Sequence, residues 1–390
     1  LNNNTNDKKD SKMGLEYKIC TKTIMDTSDS GISFNEFGES DYYTNFVTHI
    51  LPSWDNTKKI TDDLFKIAEK IKYEGKKRDF DCIIGVSGGL DSSYLLYVAK
   101  EIMGLRPLAF HVDAGWNSEK AVSNIEKLIH HLKVDLYTDV INWEEMKDLQ
   151  LAFFNAQIPD QDCQDIAFFS ALYRFAKNNK IKYVLTGANY STECCREPEE
   201  WGAYPGIDKT LILDIHKKFG KKELKTFPLI DILNYKIYYK YFLGMQVVKP
   251  LNYIQYKKED AENLLHEKFG WQKFNHKHQE SIFTRFLEDF WFPKKFGFDR
   301  RRAHFSSLIL TEQMTRDEAI KRIEKPEYSE EFLLSEFEFV AQKLDISVED
   351  FKKIFNGKNK TYHNYKNKKR IIDFGARTMR SIGFEKRLFR

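Results

Sequence analysis

The sequence predicts an α/β fold: a doubly wound parallel sheet, with a small module before it and a helical region after it. Three observations predict it. Short apolar strand patterns alternate with helix patterns from residue 61 to residue 187. The strand over 81–86 runs directly into Ser87-Gly88-Gly89-Leu90-Asp91-Ser92-Ser93, and a helix pattern follows at once. Beyond Pro250 the strand patterns stop and helical ones take over.

In chain order, residues 1–12 are polar and aperiodic and read as a disordered or appended tail, with Met13 as a candidate start. Residues 13–60 hold short apolar alternations broken by Gly31, Gly38 and Pro52, a small β-rich or irregular module. Leu64, Ile67, Ala68 and Ile71 recur at helical spacing and predict a helix over 61–72. The strand 81–86, a helix over 94–103 and a buried strand over 108–113 follow. Then come a helix over 119–132, a strand over 135–141, a helix over 165–178 and a strand over 181–186 that stops at Gly187. Residues 61–250 thus read as one nucleotide-binding domain. Residues 251–355 read as a helical substrate or partner region. Its helices over 257–269, 278–290, 315–323, 329–343 and 347–355 are separated by Gly270, Pro293, Gly297 and Pro326. Ser347 with Asp350 three residues on is a weaker relative of the capping box.

Net charge is only +4, so the chain as a whole is not built to grip a polyanion. The charge is uneven: residues 356–390 carry eleven Lys and Arg against two acids. A basic tail can bind nucleic acid, an acidic partner or nothing. The 31 Phe and 20 Tyr allow a sizeable core. Five cysteines form no CxxC pair, and an odd count predicts a reducing, cytoplasmic setting. No apolar run approaches the ~18 residues of a membrane span, so no membrane partner is expected.

The loop after the first strand carries the chemistry. Gly88 and Gly89 allow a tight turn that brings backbone N–H groups against a ligand. Ser92 and Ser93 add hydroxyls where the helix dipole already favours an anion. Val86, Ser87, Gly88, Gly89, Ser92 and Ser93 are therefore candidate phosphate-binding positions. Asp91 would repel a phosphate unless Mg²⁺ lies between them, so it is the candidate metal ligand. The loop lacks the GxxxxGK[ST] pattern of the Walker type and resembles the PP-loop of ATP pyrophosphatases, which cleave ATP to AMP and pyrophosphate.

Ligands of doubly wound sheets sit at the carboxyl ends of strands, which singles out two more places. Asp113 could bind a ribose hydroxyl or a metal, or close an Asx turn, and Trp116 could stack on a base or sugar or fill the core. Gly187 would let backbone approach a nucleotide, with Asn189 and Glu193 in reach of substrate. Cys194 and Cys195 have no visible base and read as core or loop residues. Farther on, His276, Lys277, His278, Arg285, Lys295, Arg300, Arg301 and Arg302 crowd into about thirty residues. No HExxH occurs, so zinc is discounted, and the cations suit a phosphate or carboxylate.

The ordered strings SGGLDSS, HVDAGWNSEKAVSNIEKL, LQLAFF, TGANYSTE, HKKFG, LKTFP, KPLNYIQY, KHQESIFTRF and KKFGFDRRRAHFSSLI resemble the N-acetyl sugar amidotransferases of bacterial surface-glycan synthesis. The resemblance covers roughly residues 15–355. It implies an adenine nucleotide alpha hydrolase-like sheet, with ATP and Mg²⁺ used to turn an acetamido group into an acetamidino group. The acceptor would be a nucleotide-linked diacetamido uronic or nonulosonic acid. It implies catalytic roles for Ser87, Asp91 and Lys277, and substrate contacts from His278, Glu280 and Arg285 beside Trp116, Asn189 and Glu193. From their charge alone, and not from the resemblance, Lys295, Arg300, Arg301 and Arg302 are expected to hold the acid and nucleotide groups of the sugar. Ammonia would come from a separate glutaminase subunit (HisH-like) with a cyclase-like barrel subunit (HisF-like). The family's N-terminal zinc-ribbon-like cysteines read Cys20, Thr23, Ser40 and Tyr43 here, and one thiol cannot make a structural zinc site, so a degenerate, metal-free module is expected. Two other readings stay open: a PP-loop tRNA-modifying enzyme, which the near-neutral bulk disfavours, and a non-catalytic ATP-binding scaffold for a glutaminase.

Overall fold

The computed structural model describes residues 16–54, 57–159, 163–202, 208–275 and 277–381. The tail over 1–12, Met13 and His276 lie outside the described residues. Strands β1 (Cys82–Gly85), β2 (Pro107–Asp113), β3 (Asp135–Val140), β4 (Tyr183–Leu185) and β5 (Gln246–Val248) form one sheet, ordered β3-β2-β1-β4-β5. All four pairings are parallel, and Ile84 lies opposite Ala109 on one side and Leu185 on the other.

Alternation along the strands gives the two faces. Ile83, Leu108, Phe110 and Val184 point to one core, covered by the helices Trp143–Ala156, Cys163–Asn178 and Lys209–Phe219. Cys82, Ile84, Ala109 and Leu185 point to the other, covered by Asp62–Gly75, Leu90–Tyr97, Glu119–Leu132 and Lys258–Phe269. Burial on both faces is why β1 and β2 are apolar at nearly every position. The chain leaves β1 toward β2 and β3, then returns to place β4 on β1's other side. That reversal opens a crevice at the carboxyl ends of β1 and β4.

Several boundaries differ from the sequence expectation. The loop helix begins at Leu90, not 94, because Gly89 is extended (φ −73°, ψ 170°) and acts as its N-cap. Residues 278–281 are not helical. His278 takes a left-handed backbone (φ 64°), and Ser281 pairs with Asn117 in an isolated bridge. Pro293 does not separate helices; it sits inside the run Leu287–Phe296, whose wider π-type turns dispense with its missing N–H. Helices Trp143–Ala156, Lys209–Phe219 and Arg301–Leu310, and strand β5, were not anticipated.

Behind the crevice, the helical region packs an aromatic core of Phe283, Phe286, Phe290, Trp291, Phe337 and Phe351. Residues 16–54 lie against it. Arg302 pairs with Asp26 at 3.0 Å, and Arg316 donates to the carbonyls of Cys20 and Thr23. In this module Thr23 and Ser40 are fully buried, and the Cys20 thiol accepts the Ser40 N–H at 3.2 Å. Among the described residues, no three His, Cys, Asp or Glu gather as a metal site. No described helix is long and apolar enough to cross a membrane. The basic tail is partly docked: Tyr365 is buried and donates to Ala156, and Lys368 pairs with Asp231, before a helix over Lys369–Ser381.

Candidate active site

At the carboxyl end of β1 the chain turns through Ser87-Gly88-Gly89. Gly88 has φ +80°, and a Cβ there would lie 2.4 Å from the Ala121 carbonyl oxygen, so only glycine fits. The serines knit the loop: Ser92 Oγ accepts the Ser87 N–H and lies 3.2 Å from Ser87 Oγ, which in turn accepts the Gly89 N–H. Gly187, at the end of β4, lies so close that a Cβ would meet the Asp91 backbone at 3.0 Å. The two strand ends thus share one crevice.

Asp91 is the hub. Its Oδ1 accepts from Tyr256 at 2.5 Å and from Asn189 Nδ2 at 3.3 Å. Its Oδ2 lies 3.4 Å from Lys277 Nζ, which is also 2.5 Å from Glu193 Oε1. One ammonium therefore sits between carboxylates carried by two different strand ends. Burial would lower the Lys277 pKa, but Glu193 and Asp91 outweigh it and hold it above the usual lysine range. Burial would raise Glu193, and the facing Lys277 reverses this and holds it low. Burial and the Asp91 carboxylate push the Tyr256 phenol up, so it stays a hydrogen-bond donor. A cation between two carboxylates, beside an anion loop, marks where a divalent ion would fit: Mg²⁺ takes one or two carboxylates plus phosphate oxygens. Asp91 and Glu193 are the residues that would hold it.

Glu280 faces the loop from the opposite side. Ser87 Oγ donates to Glu280 Oε1 at 3.2 Å, and burial raises this carboxyl's pKa. Its backbone is pinned, since the Ser118 N–H donates to the Glu280 carbonyl at 2.9 Å. From here a cleft of about 750 Å³ runs outward, within the ~300–1,000 Å³ of small-molecule sites. Lys258, Lys277, His278, Arg300 and His304 contribute to its walls. Arg300 is fixed by Glu197 at 2.9 Å and lies over the Phe292 ring. Burial, with Lys277 and Lys258 nearby, holds His304 well below the usual histidine range, so it is a neutral imidazole.

Of the residues singled out from sequence, Val86, Ser87, Gly89, Asp91, Ser92, Gly187, Glu193, Lys277, His278, Glu280 and Arg300 line this cleft. Others do not. Trp116 is fully buried, with its indole N–H on Gln150 at 3.0 Å and its ring against Phe283, so it is a core residue and not a stacking platform. Asp113 closes its own turn by accepting from the Gly115 N–H and Asn117. Gly88 and Ser93 shape the loop from behind; Gly88 turns its carbonyl to Asn124 and Trp271, and Ser93 is buried. Asn189 is buried and caps the short helix Tyr190–Glu193 while orienting Asp91. Arg285 is consumed by Glu336, and Arg301 by Asp299 and Glu327. Lys295 donates to the carbonyls of Phe355 and Gly357, away from the cleft. The sequence reading missed Tyr256, Lys258 and His304. Tyr256 closes the KPLNYIQY string and His304 sits within KKFGFDRRRAHFSSLI, so the signal was present without a role attached.

Residues 280–379 match the model of the family described as "LPS biosynthesis protein WbpG-like, C-terminal domain". The uncharacterized protein MJ1599 of Methanocaldococcus jannaschii is 27% identical over 183 residues, 46% of this chain and 61% of that protein. Among solved structures, the NH3-dependent NAD synthetase of Campylobacter jejuni overlaps 33% of this chain and 56% of its own, at 16% identity and a TM-score of 0.24. The chain thus spans roughly three fifths of each of these two proteins.

Proposed function

We propose that this chain is an ATP-dependent, AMP- and pyrophosphate-forming amidotransferase of surface-glycan biosynthesis (lipopolysaccharide O-antigen, capsule or flagellar glycan). It converts an acetamido group of a nucleotide-linked diacetamido sugar acid, uronic or nonulosonic, into an acetamidino group. One observation carries this reading. The anion loop after β1 and a domain similar to lipopolysaccharide-biosynthesis proteins wall the same cleft, the latter through Glu280, Ser281, Thr284, Glu288, Arg300 and His304.

The chemistry suits the residues. An amide oxygen is a poor leaving group. Its attack on the α-phosphorus of ATP expels pyrophosphate and leaves an O-adenylyl imidate. Ammonia then adds to that carbon, AMP departs with the former amide oxygen, and an amidine remains. The loop N–H groups and the Ser87 and Ser92 hydroxyls bind the departing pyrophosphate. Bound Mg²⁺ supplies charge neutralisation for the phosphates at Asp91 and Glu193. In the metal-free site Lys277 holds these carboxylates apart and in register, with Tyr256 and Asn189 fixing the Asp91 rotamer. Arg300, held by Glu197, Glu288 and the Trp201 carbonyl, adds fixed positive charge to the cleft wall that would face the acid or phosphates of the acceptor. His304, held neutral within the cleft, can accept a hydrogen bond from the attacking nitrogen. Ammonia is supplied by a separate glutamine-hydrolysing subunit.

The test is product analysis. Purified protein receives ATP, Mg²⁺, ammonium and a panel of nucleotide-linked diacetamido sugar acids. The reading expects AMP, pyrophosphate and a strongly basic product in which NH replaces the amide oxygen. ATP cleavage dependent on tRNA, with no sugar turned over, would refute it.

A further inference from the structure

The crossover into the edge strand β5 carries an apolar face that the protein's own core does not use. Over residues 233–243, Leu233, Ile237, Tyr238, Tyr241, Phe242 and Leu243 are all exposed, Phe242 by 75% and Tyr241 by 57%. The segment is anchored, not loose. Its inward residues Tyr235 and Tyr239 pack on Tyr173, with ring centroids 4.8 and 6.4 Å apart. Scattered apolar side chains need no explanation, but so many within eleven residues of one firmly packed element do.

Two further observations say what covers this face. First, it begins at the mouth of the cleft. Tyr235 lines the cleft, and so does Phe169, which is 44% exposed and one helical turn from Tyr173. Second, the segment's own charges are basic, and Asp231 just before it is already paired with Lys368. Lys236, Lys240 and Lys249 lie on or beside the segment, and no acid occurs between Leu233 and Pro250. A symmetric contact with a second copy would set lysine against lysine. A partner with an apolar centre and an acidic rim fits instead.

The chemistry of the proposed reaction names that partner. Ammonia in neutral water is almost wholly ammonium, which has no lone pair to attack with, and an adenylated amide left open to water is hydrolysed. A donor that covers the mouth removes both problems at once. We infer that residues 233–243 form the docking surface for the glutamine-hydrolysing, ammonia-donating subunit. The inference rests on the amidotransferase reading for the partner's identity.

The experiment uses the full chain and a purified glutaminase subunit of surface-glycan synthesis from the same organism. Binding is followed by calorimetry, and turnover with glutamine is compared with turnover on ammonium. The double variant Ile237→Asp, Phe242→Asp alters exposed positions only, and Tyr73→Asp, an exposed tyrosine on the helix Asp62–Gly75, is the control. The expected result is binding weakened roughly thirtyfold in the double variant, as for loss of interface anchors. Glutamine-driven turnover falls in step, ammonium-driven turnover stays within about twofold, and Tyr73→Asp behaves as wild type. Undiminished binding by the double variant overturns the inference. So does a wild-type chain that ignores the glutaminase and instead forms a dimer, or binds anionic vesicles, in a manner the double variant abolishes. If no sugar is amidinated under any condition, the reaction reading has failed, and the binding comparison still decides the surface.

Discussion

Lys277→Met removes the ammonium between Asp91 and Glu193 while keeping most of the side chain's volume. At an effective dielectric near 20, two unit charges about 4 Å apart attract by roughly 4 kcal/mol. Desolvation takes back much of that, and the Glu193 side chain is 37% exposed, so water screens its share. A net destabilisation of about 2 kcal/mol is expected, read by urea unfolding at neutral pH. The two carboxylates then face each other without a cation, and one of them holds its proton to higher pH than in the wild type. A second readout separates this account from mere loss of packing. If Lys277 stands where a divalent cation would sit, its removal tightens Mn²⁺ binding to the nucleotide-free protein, measured by the decline of the free Mn²⁺ paramagnetic resonance signal. Unfolding within about 0.5 kcal/mol of wild type, together with unchanged Mn²⁺ binding, would refute the reasoning.

Gly88→Ala forces a Cβ to 2.4 Å from the Ala121 carbonyl at φ +80°; pyrophosphate release should fall about a hundredfold or more, and near-normal release would show that the loop tolerates another shape. Trp116→Phe loses the Gln150 hydrogen bond and part of a buried ring; it should lower stability by about 1–2 kcal/mol with KM for ATP and sugar unchanged, whereas a raised KM would restore Trp116 to the site. Burial pushes the Asp289 carboxyl up to about 7, so the folded state binds this proton more tightly than the unfolded one. Stability from this group is present below the unfolded carboxylate pKa and is lost as pH rises through 7. Asp289→Asn should therefore flatten the decline in Tm between about pH 5 and 8, and a decline as steep as wild type would exclude Asp289 as its source.

The loop was legible because its chemistry is local. A strand, two glycines and two serines within ten residues define an anion nest whatever follows. The first four strands and their parallel sheet were legible in the same way, from apolar runs separated by helices, though not their order. What the sequence could not reveal is which polar side chains the fold turns toward the crevice. Asp113 ends β2 and Trp116 follows it, one strand away from the switch point; Trp116 faces the aromatic core while Asp113 closes its own loop. Arg285 and Arg301 belong to the cationic cluster, yet each meets a carboxylate far along the chain, Glu336 and Glu327. Arg300 differs from Arg301 by one position and lies on the cleft. Strand β5 escaped notice because only three residues pair, flanked by the tyrosine-rich crossover. The helix over 278–290 failed at its start, because the Ser118 N–H holds Glu280 in a turn and the Asn117 bridge holds Ser281 extended.

The central claim is that the amide oxygen of a sugar acid is adenylylated in the cleft shared by the anion loop and the region similar to lipopolysaccharide-biosynthesis proteins. Its most direct test is a label transfer. The acceptor is prepared with heavy oxygen in its acetamido carbonyl and turned over with ATP, Mg²⁺ and ammonium, and the nucleotide product is analysed by mass spectrometry. The account predicts that the label appears in the phosphate of AMP, one atom per amidine formed. Label in inorganic phosphate beside ADP, or label retained in the sugar while ATP is cleaved, would contradict it.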